Sequence, residues 1–586
     1  MRWLRCPWHG YDYDPITGTP PPGFRDRPTR FPVEIRTDGV YVGITPRTPR
    51  NRSVSDVMVD TMVDWGVTHV FGMVGHSNLG FAEALRSAEA RGDIRFIGIR
   101  HEGAAAFAAS AYGKLTGRPG VCFAIAGPGS TNLLTGLYDA KVDRAPVLAL
   151  SGQVPSAVRG RGAFQDIDLS AAFADVSVYT QVVSPGSDHA ELVALACKHA
   201  ILQRGVGHLV LPDDVQTLSA IPDTPIATRS GRLPAIEITP PHHELNRALD
   251  LLREARRPVI VVGHGSRHDM ESVLELAEKI GAPILTTFKA KGLVSDHHPL
   301  GCGVLGRSGT PIASWFMNES DLLLVFGASF SQHTGIAEYK PTIQVDYDPE
   351  GLARFHPVTV SLLGDVGATA RLLGEQTEKV PASDPRHEIA QRWAIWKAEK
   401  TRRLSDDRGK GINSAVVFDS LSRTADNDAI IAVDVGNNTY SFGRYFECSH
   451  QSVVMSGYLG SIGFGMPAAM GAWAAAPDRQ ILAICGDGGL GQYLAEFTTL
   501  VKYQMDITVV VLNNGQLGKI SKEQRVAEWD VWQTGLHNPD FAAYAQLCGG
   551  YGIRVDSARD LDSAFRAVLD HPGPALVDIV TDPELI

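Results

Sequence analysis

The sequence is short of three things. It has no apolar run of the roughly 20 residues needed to span a bilayer, and no apolar stretch of the signal-peptide kind near its start. It lacks an excess of positive charge: 54 Lys and Arg stand against 65 Asp and Glu, a net −11 that argues against nucleic acid as a general partner. It has little cysteine, seven residues, scattered and odd in number, as reduced thiols would be. Together these absences predict a cytoplasmic chain with no membrane segment. What is plentiful is apolar material: 44% of 586 residues, enough for several cores, and the length predicts about three domains.

One stretch organises the rest. An apolar run, Ile481 to Cys485, stops at Gly486-Asp487-Gly488-Gly489. Leu490, Leu494, Phe497, Leu500 and Val501 follow at helical spacing, and a second apolar run, Ile507 to Leu512, ends at Asn513-Asn514-Gly515. This predicts a βαβ unit, with Asp487 and Asn514 at the carboxyl edge of the sheet where such units bind ligands. Glycines there admit a close anion, and a helix N-terminus supplies free N–H groups for a phosphate. A carboxylate and an amide oxygen beside them are hard ligands suited to Mg²⁺ shared with a diphosphate.

The Gly-Asp-Gly, the spacer and the Asn pair resemble the signature of thiamine diphosphate enzymes, and the resemblance runs from about Val54 to Ile586. It implies three doubly wound α/β domains with parallel sheets: residues 46–222 facing the pyrimidine of the cofactor, a central FAD-binding-like domain over 223–376, and residues 413–586 holding the diphosphate. Asp487, Asn514 and the backbone carbonyl of Gln516 would hold Mg²⁺, with Gly486, Gly488, Gly489, Leu517 and Gly518 around the diphosphate. Gly436 and Asn437, in the stretch Asp434-Val435-Gly436-Asn437, and the Gly460-Ser461-Ile462 loop complete the cofactor set. Ile462 is the candidate for the apolar wedge that bends the cofactor, unless it is an ordinary core side chain. Glu102, opening a small-residue helix, matches the glutamate that exchanges a proton with the aminopyrimidine ring. The family's site lies between subunits, so a homodimer or homotetramer follows. The Ala126–Asn132 turn reads as part of the cofactor-facing subunit contact or as plain packing.

Other residues bear on the branch of the family. His76, in the Gly75–Asn78 turn, is either a proton shuttle or a solvated side chain. Phe164-Gln165 resembles the pair that pyruvate oxidases and acetohydroxyacid synthases carry beside the substrate. Glu523 stands where the synthases carry Trp, whereas Ile520 and Glu523 match the oxidases, as does the stretch Leu536 to Phe541. Gly263, Gly265, Thr286, Lys289, Arg307, Asp346 and Asp365 are the candidate FAD contacts. The reading is therefore a pyruvate-oxidase-like enzyme that decarboxylates a 2-keto acid and passes electrons to FAD. An acetolactate-synthase-like carboligase is the alternative.

The first 45 residues stand apart. Cys6-Pro7-Trp8-His9-Gly10-Tyr11 resembles the second half of a Rieske domain, predicting a small β-rich fragment. Such a cluster needs two Cys and two His. Cys6 and His9 alone supply half, so no [2Fe–2S] cluster is expected in this chain. Thr45 to Arg52, rich in Pro and Arg, reads as a linker.

Overall fold

Apolar runs bounded by Gly, Asp and Asn become strands buried on both faces wherever helices cover a parallel sheet. In the computed structural model, which describes residues 3–7, 10–20, 31–43, 51–329, 331, 334–335, 337–377 and 384–585, that happens three times over. The chain divides into two units, Met1–Arg52 and Ser53–Ile586.

The first unit contains two short antiparallel pairs: β1 (Leu4–Arg5) with β2 (Asp12–Tyr13), and β3 (Val33–Arg36) with β4 (Gly39–Val42). Arg5 grips Asp12 with both arms of its guanidinium, at 2.8 and 2.9 Å, across the first pair. The peptide N–H of Cys6 donates to Tyr11 O and its carbonyl accepts from Gly10 N, which closes a tight loop. His9 of the expected half-motif and most of the expected linker, residues 45–50, lie outside the described residues.

The second unit holds three six-stranded parallel sheets. The first comprises β5 (His69–Gly72), β6 (Arg95–Gly98), β7 (Gly120–Ala124), β8 (Val147–Gln153), β9 (Ser177–Val182) and β10 (Val206–Pro212), in the order β6-β5-β7-β8-β10-β9. The middle sheet comprises β11 (Pro258–Val262), β12 (Ile284–Thr286), β13 (Gly301–Val304), β14 (Leu322–Phe326), β15 (Thr342–Asp346) and β16 (Val360–Leu363), in the order β13-β12-β11-β14-β15-β16. The last comprises β17 (Ile430–Val433), β18 (Ser452–Met455), β19 (Ile481–Gly486), β20 (Thr508–Asn513), β21 (Tyr551–Val555) and β22 (Ala575–Val580), in the order β18-β17-β19-β20-β22-β21. The outer sheets thus share one topology. Each reverses direction between its first and third strands, where a crevice opens at the strand ends.

The helix expected from Leu490 to Val501 is broken. Asp487–Gln492 is helical, Leu494–Glu496 forms a 3₁₀ turn, and Phe497–Tyr503 resumes the helix. Tyr493, at φ −124°, makes the break and turns its ring toward the start of the Glu102 helix.

The outer domains meet through two helices of small residues. Glu102–Thr116, made mostly of alanine and other small or apolar residues, is buried along nearly its whole length. It lies against Gly465–Ala475 so closely that a Cβ on Gly471 would stand 2.1 Å from Ala108 O. At the far end of this contact all three domains converge. Lys114 Nζ bonds Asp139 Oδ2 at 2.7 Å, Asp143 Oδ2 at 2.8 Å and Met455 O at 3.0 Å. Lys289 Nζ reaches Asp143 Oδ1 at 2.7 Å from the middle domain. Arg267 donates to Lys114 O and Val453 O, both at 2.9 Å. Burial works against Lys114's charge, but the two aspartates outweigh it and hold its pKa above the ordinary lysine value.

Candidate active site

The crevice of the last sheet opens between β17 and β19, and Asp487 sits there at the end of β19, buried. Its Oδ2 accepts the N–H of Gly515 at 2.8 Å and Asn538 Nδ2 at 2.7 Å, while Oδ1 accepts only the N–H of Gly488, at 3.0 Å. Burial pushes its carboxyl above the usual range, and these donors oppose the shift. Asn514 lies across the turn, its Oδ1 taking the N–H of Gln516 at 3.0 Å. A Cβ on Gly518 would lie 2.5 Å from Asn437 Nδ2 and 3.2 Å from Asn514 Nδ2, so glycine is what lets both amides approach the helix Gly518–Val526. The expected metal and diphosphate residues are therefore gathered in one corner.

Asn437 Nδ2 is buried there with no hydrogen-bond partner. An orphaned buried donor carries a desolvation penalty of about 1–3 kcal/mol, which an anionic acceptor would relieve. With one carboxylate oxygen open and amide and carbonyl oxygens beside it, the corner fits a divalent cation held jointly with a diphosphate.

The loop before it is pinned by Asp434, at the end of β17. This carboxylate is fully buried and accepts the N–H of Val435 at 2.7 Å and of Gly463 at 2.9 Å. Burial raises its pKa to about 7, and the N–H donors hold it from going higher. Gly463 takes φ +87° as the loop turns into the Gly465 helix. Ser461 N donates to Ser456 Oγ, which closes the loop behind Gly460, Ser461 and Ile462. Ile462 is half-buried, not core.

A second corner forms on the first sheet. Glu102 is buried, its Oε2 held by Asn132 Nδ2 at 2.9 Å, and Gly129 leaves room beside Oε1, which a Cβ would approach to 3.0 Å. Glu496 fixes the backbone ahead of it, taking the N–H groups of Arg100 and His101 at 2.9 and 2.8 Å. Gln165 packs against Gly127 with φ +63°, and its Oε1 is buried and unpartnered. Phe164, exposed, lies against the His76 ring with centroids 6.3 Å apart. Glu102, Gln165, Phe164 and His76 are thus brought together by the crevice between β5 and β7.

The remaining expected residues are elsewhere. Ile520 and Glu523 lie on the helix after Asn514, Ile520 exposed and Glu523 ion-paired with Lys519. Gly263 and Gly265 face Gly327 so closely that a Cβ on Gly263 would meet Gly327 O at 2.1 Å. Thr286 is buried at the end of β12, and Lys289 belongs to the three-domain joint. Arg307 is exposed. Asp346 Oδ1 takes the N–H of Asp348 at 2.9 Å, and Arg144 is 3.9 Å away. Asp365 caps Val366–Gln376 through the N–H groups of Gly367 and Ala368. The residues that sequence reasoning did not single out are Asn132, Asp434, Glu496 and Asn538. All four stood in stretches already marked, but nothing in those stretches tells which side chain they meet.

Two corners of this make at the switch points of two like sheets define a cofactor enzyme, and the comparisons say of which family. The N-terminal thiamine pyrophosphate (diphosphate) binding domain of thiamine pyrophosphate enzymes matches residues 52–172, the central domain 245–373 and the C-terminal binding domain 434–579. The chain belongs to the thiamine pyrophosphate enzyme family. It is 37% identical over 541 residues to a Bacillus subtilis (strain 168) protein designated thiamine pyrophosphate-containing, YdaP, covering 91% of this chain and 92% of that one. It is 31% identical to the acetolactate synthase large subunit of Parasynechococcus marenigrum (strain WH8102), over 92% and 89% of the two chains. With the acetolactate synthase isozyme 1 large subunit of Escherichia coli (strain K12) the identity is 28%, over 92% and 96%. The α/β class with three parallel sheets stands as expected. Among the described residues no helix is long and apolar enough to cross a membrane.

Proposed function

We propose that the chain decarboxylates a 2-keto acid, pyruvate first among the candidates, and joins the acyl unit to a second carbonyl compound in the acetolactate-synthase manner. The observation that carries the cofactor half is the orphaned amide of Asn437, which faces Gly518 together with Asn514. The carboligase half rests on the relatives named as synthases. Thiamine diphosphate, when bound, supplies a carbon nucleophile and an electron sink. Asp487 Oδ1, Asn514 and the Gln516 carbonyl would hold Mg²⁺, and Asn437 would donate to the diphosphate. Asp434 fixes the loop that presents Ile462. Asn132 holds Glu102 Oε2, leaving Oε1 to exchange a proton with the aminopyrimidine ring. Gln165 offers an unpaired acceptor and His76 a proton carrier on the substrate side. The reading includes two copies, Glu102 of one facing the metal corner of the other.

A second reading, electron transfer to FAD, is favoured by Ile520 and Glu523 standing after the Asn pair. The middle sheet's order, third-second-first-fourth-fifth-sixth, is the order that binds dinucleotides, and it favours FAD under either reading. The test is anaerobic: flavin absorbance and CO₂ are followed on adding pyruvate to the chain loaded with thiamine diphosphate, Mg²⁺ and FAD. CO₂ release with the flavin still oxidised, and a new carbon–carbon bond in the product, is expected. A bleached flavin would overturn carboligation in favour of the oxidase, and absence of CO₂ from any 2-keto acid would sink both.

A further inference from the structure

Asp487 is one end of a hydrogen-bond chain that begins at the surface. Arg554 Nη1 donates to Asp578 Oδ2 at 2.6 Å. Asp578 is fully buried on β22, and its Oδ1 accepts Asn513 Nδ2 at 3.0 Å. Asn513 Oδ1 accepts Asn538 Nδ2 at 3.0 Å, and the same Nδ2 donates to Asp487 Oδ2 at 2.7 Å. Each amide has only one workable orientation. Turned over, Asn513 would set its oxygen against the Asp578 carboxylate, and Asn538 would set its oxygen against two acceptors. The buried charge of Asp578 therefore fixes Asn513, Asn513 fixes Asn538, and Asn538 occupies one particular oxygen of Asp487. The other oxygen, Oδ1, has a single backbone donor and an open lone pair.

Resting on the reading of Asp487 as a metal ligand, we propose that Asn538, oriented through Asn513 by Asp578, is a positioning residue that turns Asp487 Oδ1 toward the divalent cation. Arg554 balances the buried carboxylate from an open cleft of about 400 Å³ lined also by Asn513, Asn538 and Asp540. Outer partners that hold a metal ligand in place are typically worth about 10–100-fold in metal affinity.

The test titrates Mg²⁺ into the full chain at saturating thiamine diphosphate, following intrinsic tryptophan fluorescence, with circular dichroism to check the fold. Asn538→Ala should raise the apparent Kd for Mg²⁺ about tenfold or more. Asp578→Asn, nearly isosteric, frees Asn513 to turn over and should raise it several-fold. Because both act through one amide, the double variant should bind Mg²⁺ no more weakly than Asn538→Ala alone. A Kd within twofold of wild type in Asn538→Ala, or fully additive losses in the double variant, overturns the relay. Should Asn538→Ala not fold, Asp578→Asn and Arg554→Met carry the test, and an unchanged Kd in both overturns it. Wild-type chain that shows no Mg²⁺-dependent binding of thiamine diphosphate would instead overturn the cofactor reading beneath it.

Discussion

Glu102 and Asp434 are both buried carboxylates at strand ends, yet their surroundings give them different work. Glu102 has one amide partner and a glycine-lined gap, which suits the proton exchange proposed for it. Glu102→Gln keeps the Asn132 contact open to an amide oxygen and removes the carboxylate. Turnover should fall by about 10²–10⁴, the usual worth of a general acid–base group, with thiamine diphosphate binding by calorimetry unchanged. Asp434 is ringed by N–H donors, but burial still lifts its pKa from 3.8 to about 7. Between those values the folded chain holds a proton that the unfolded chain has released. Stability should therefore fall as pH rises from about 4 to about 7 and level off above. Urea melts across that range should show a shallower slope in Asp434→Asn than in wild type, since Asp487 and other buried carboxyls that burial also raises remain; equal slopes would exclude the assignment. The helix that Glu102 opens could be read from the sequence because its run of small residues is distinctive. Glu496 could not, since nothing local shows that a glutamate 394 positions on caps that helix's entry.

Elements tell the same story one level up. Strands β19 and β20 were legible because strands buried on both faces carry unbroken apolar runs, and the polar residues where those runs stop mark the ligand edge. The break at Tyr493 was not. The spacing of Leu490, Leu494 and Phe497 suits one helix, and only contact with the first domain bends the segment there. Nor does periodicity reveal the crossing of Glu102–Thr116 with Gly465–Ala475, because small residues read as mere helix formers. Gly471 is what permits it. Gly471→Ala has a Cβ 2.1 Å from a backbone oxygen that has no flexible side chain to yield, so the helices must part. Overpacking of this sort typically costs about 1–3 kcal/mol, to be read as a lowered urea midpoint. Gly374→Ala, a helical site with nothing within 4 Å, is the control and should not lower it.

For the whole molecule, the joint at Lys114 decides whether three sheets behave as one body. Asp143 accepts from two lysines of different domains and from the N–H groups of Gly457 and Tyr458, which lead into the loop of Ile462. Sequence reading placed Lys289 among the candidate FAD contacts; Asp143 is the partner it meets here, and only the packed domains bring the two together. The two lysines are not equivalent. Removing Lys289 leaves Asp143 its bonds to Lys114 and to two peptide groups, so Lys289→Met should lower stability by about 1–2 kcal/mol, below the range for a broken buried pair. Removing Lys114 takes from the fully buried Asp139 the lysine it pairs with, leaving it only Ser110 Oγ, takes one of two lysines from Asp143, and opens the contact with Met455 O. Lys114→Met should therefore cost about 3–5 kcal/mol or more. Hydrogen exchange followed by mass spectrometry on peptides covering 453–463 separates this from a local effect. If the joint holds the loop, Lys289→Met speeds exchange there while peptides of β7 and β20 keep wild-type protection. Uniformly faster exchange would mean that the lysine only adds to global stability, and equal losses in the two variants would mean that Asp143 does not depend on Lys114 for its place.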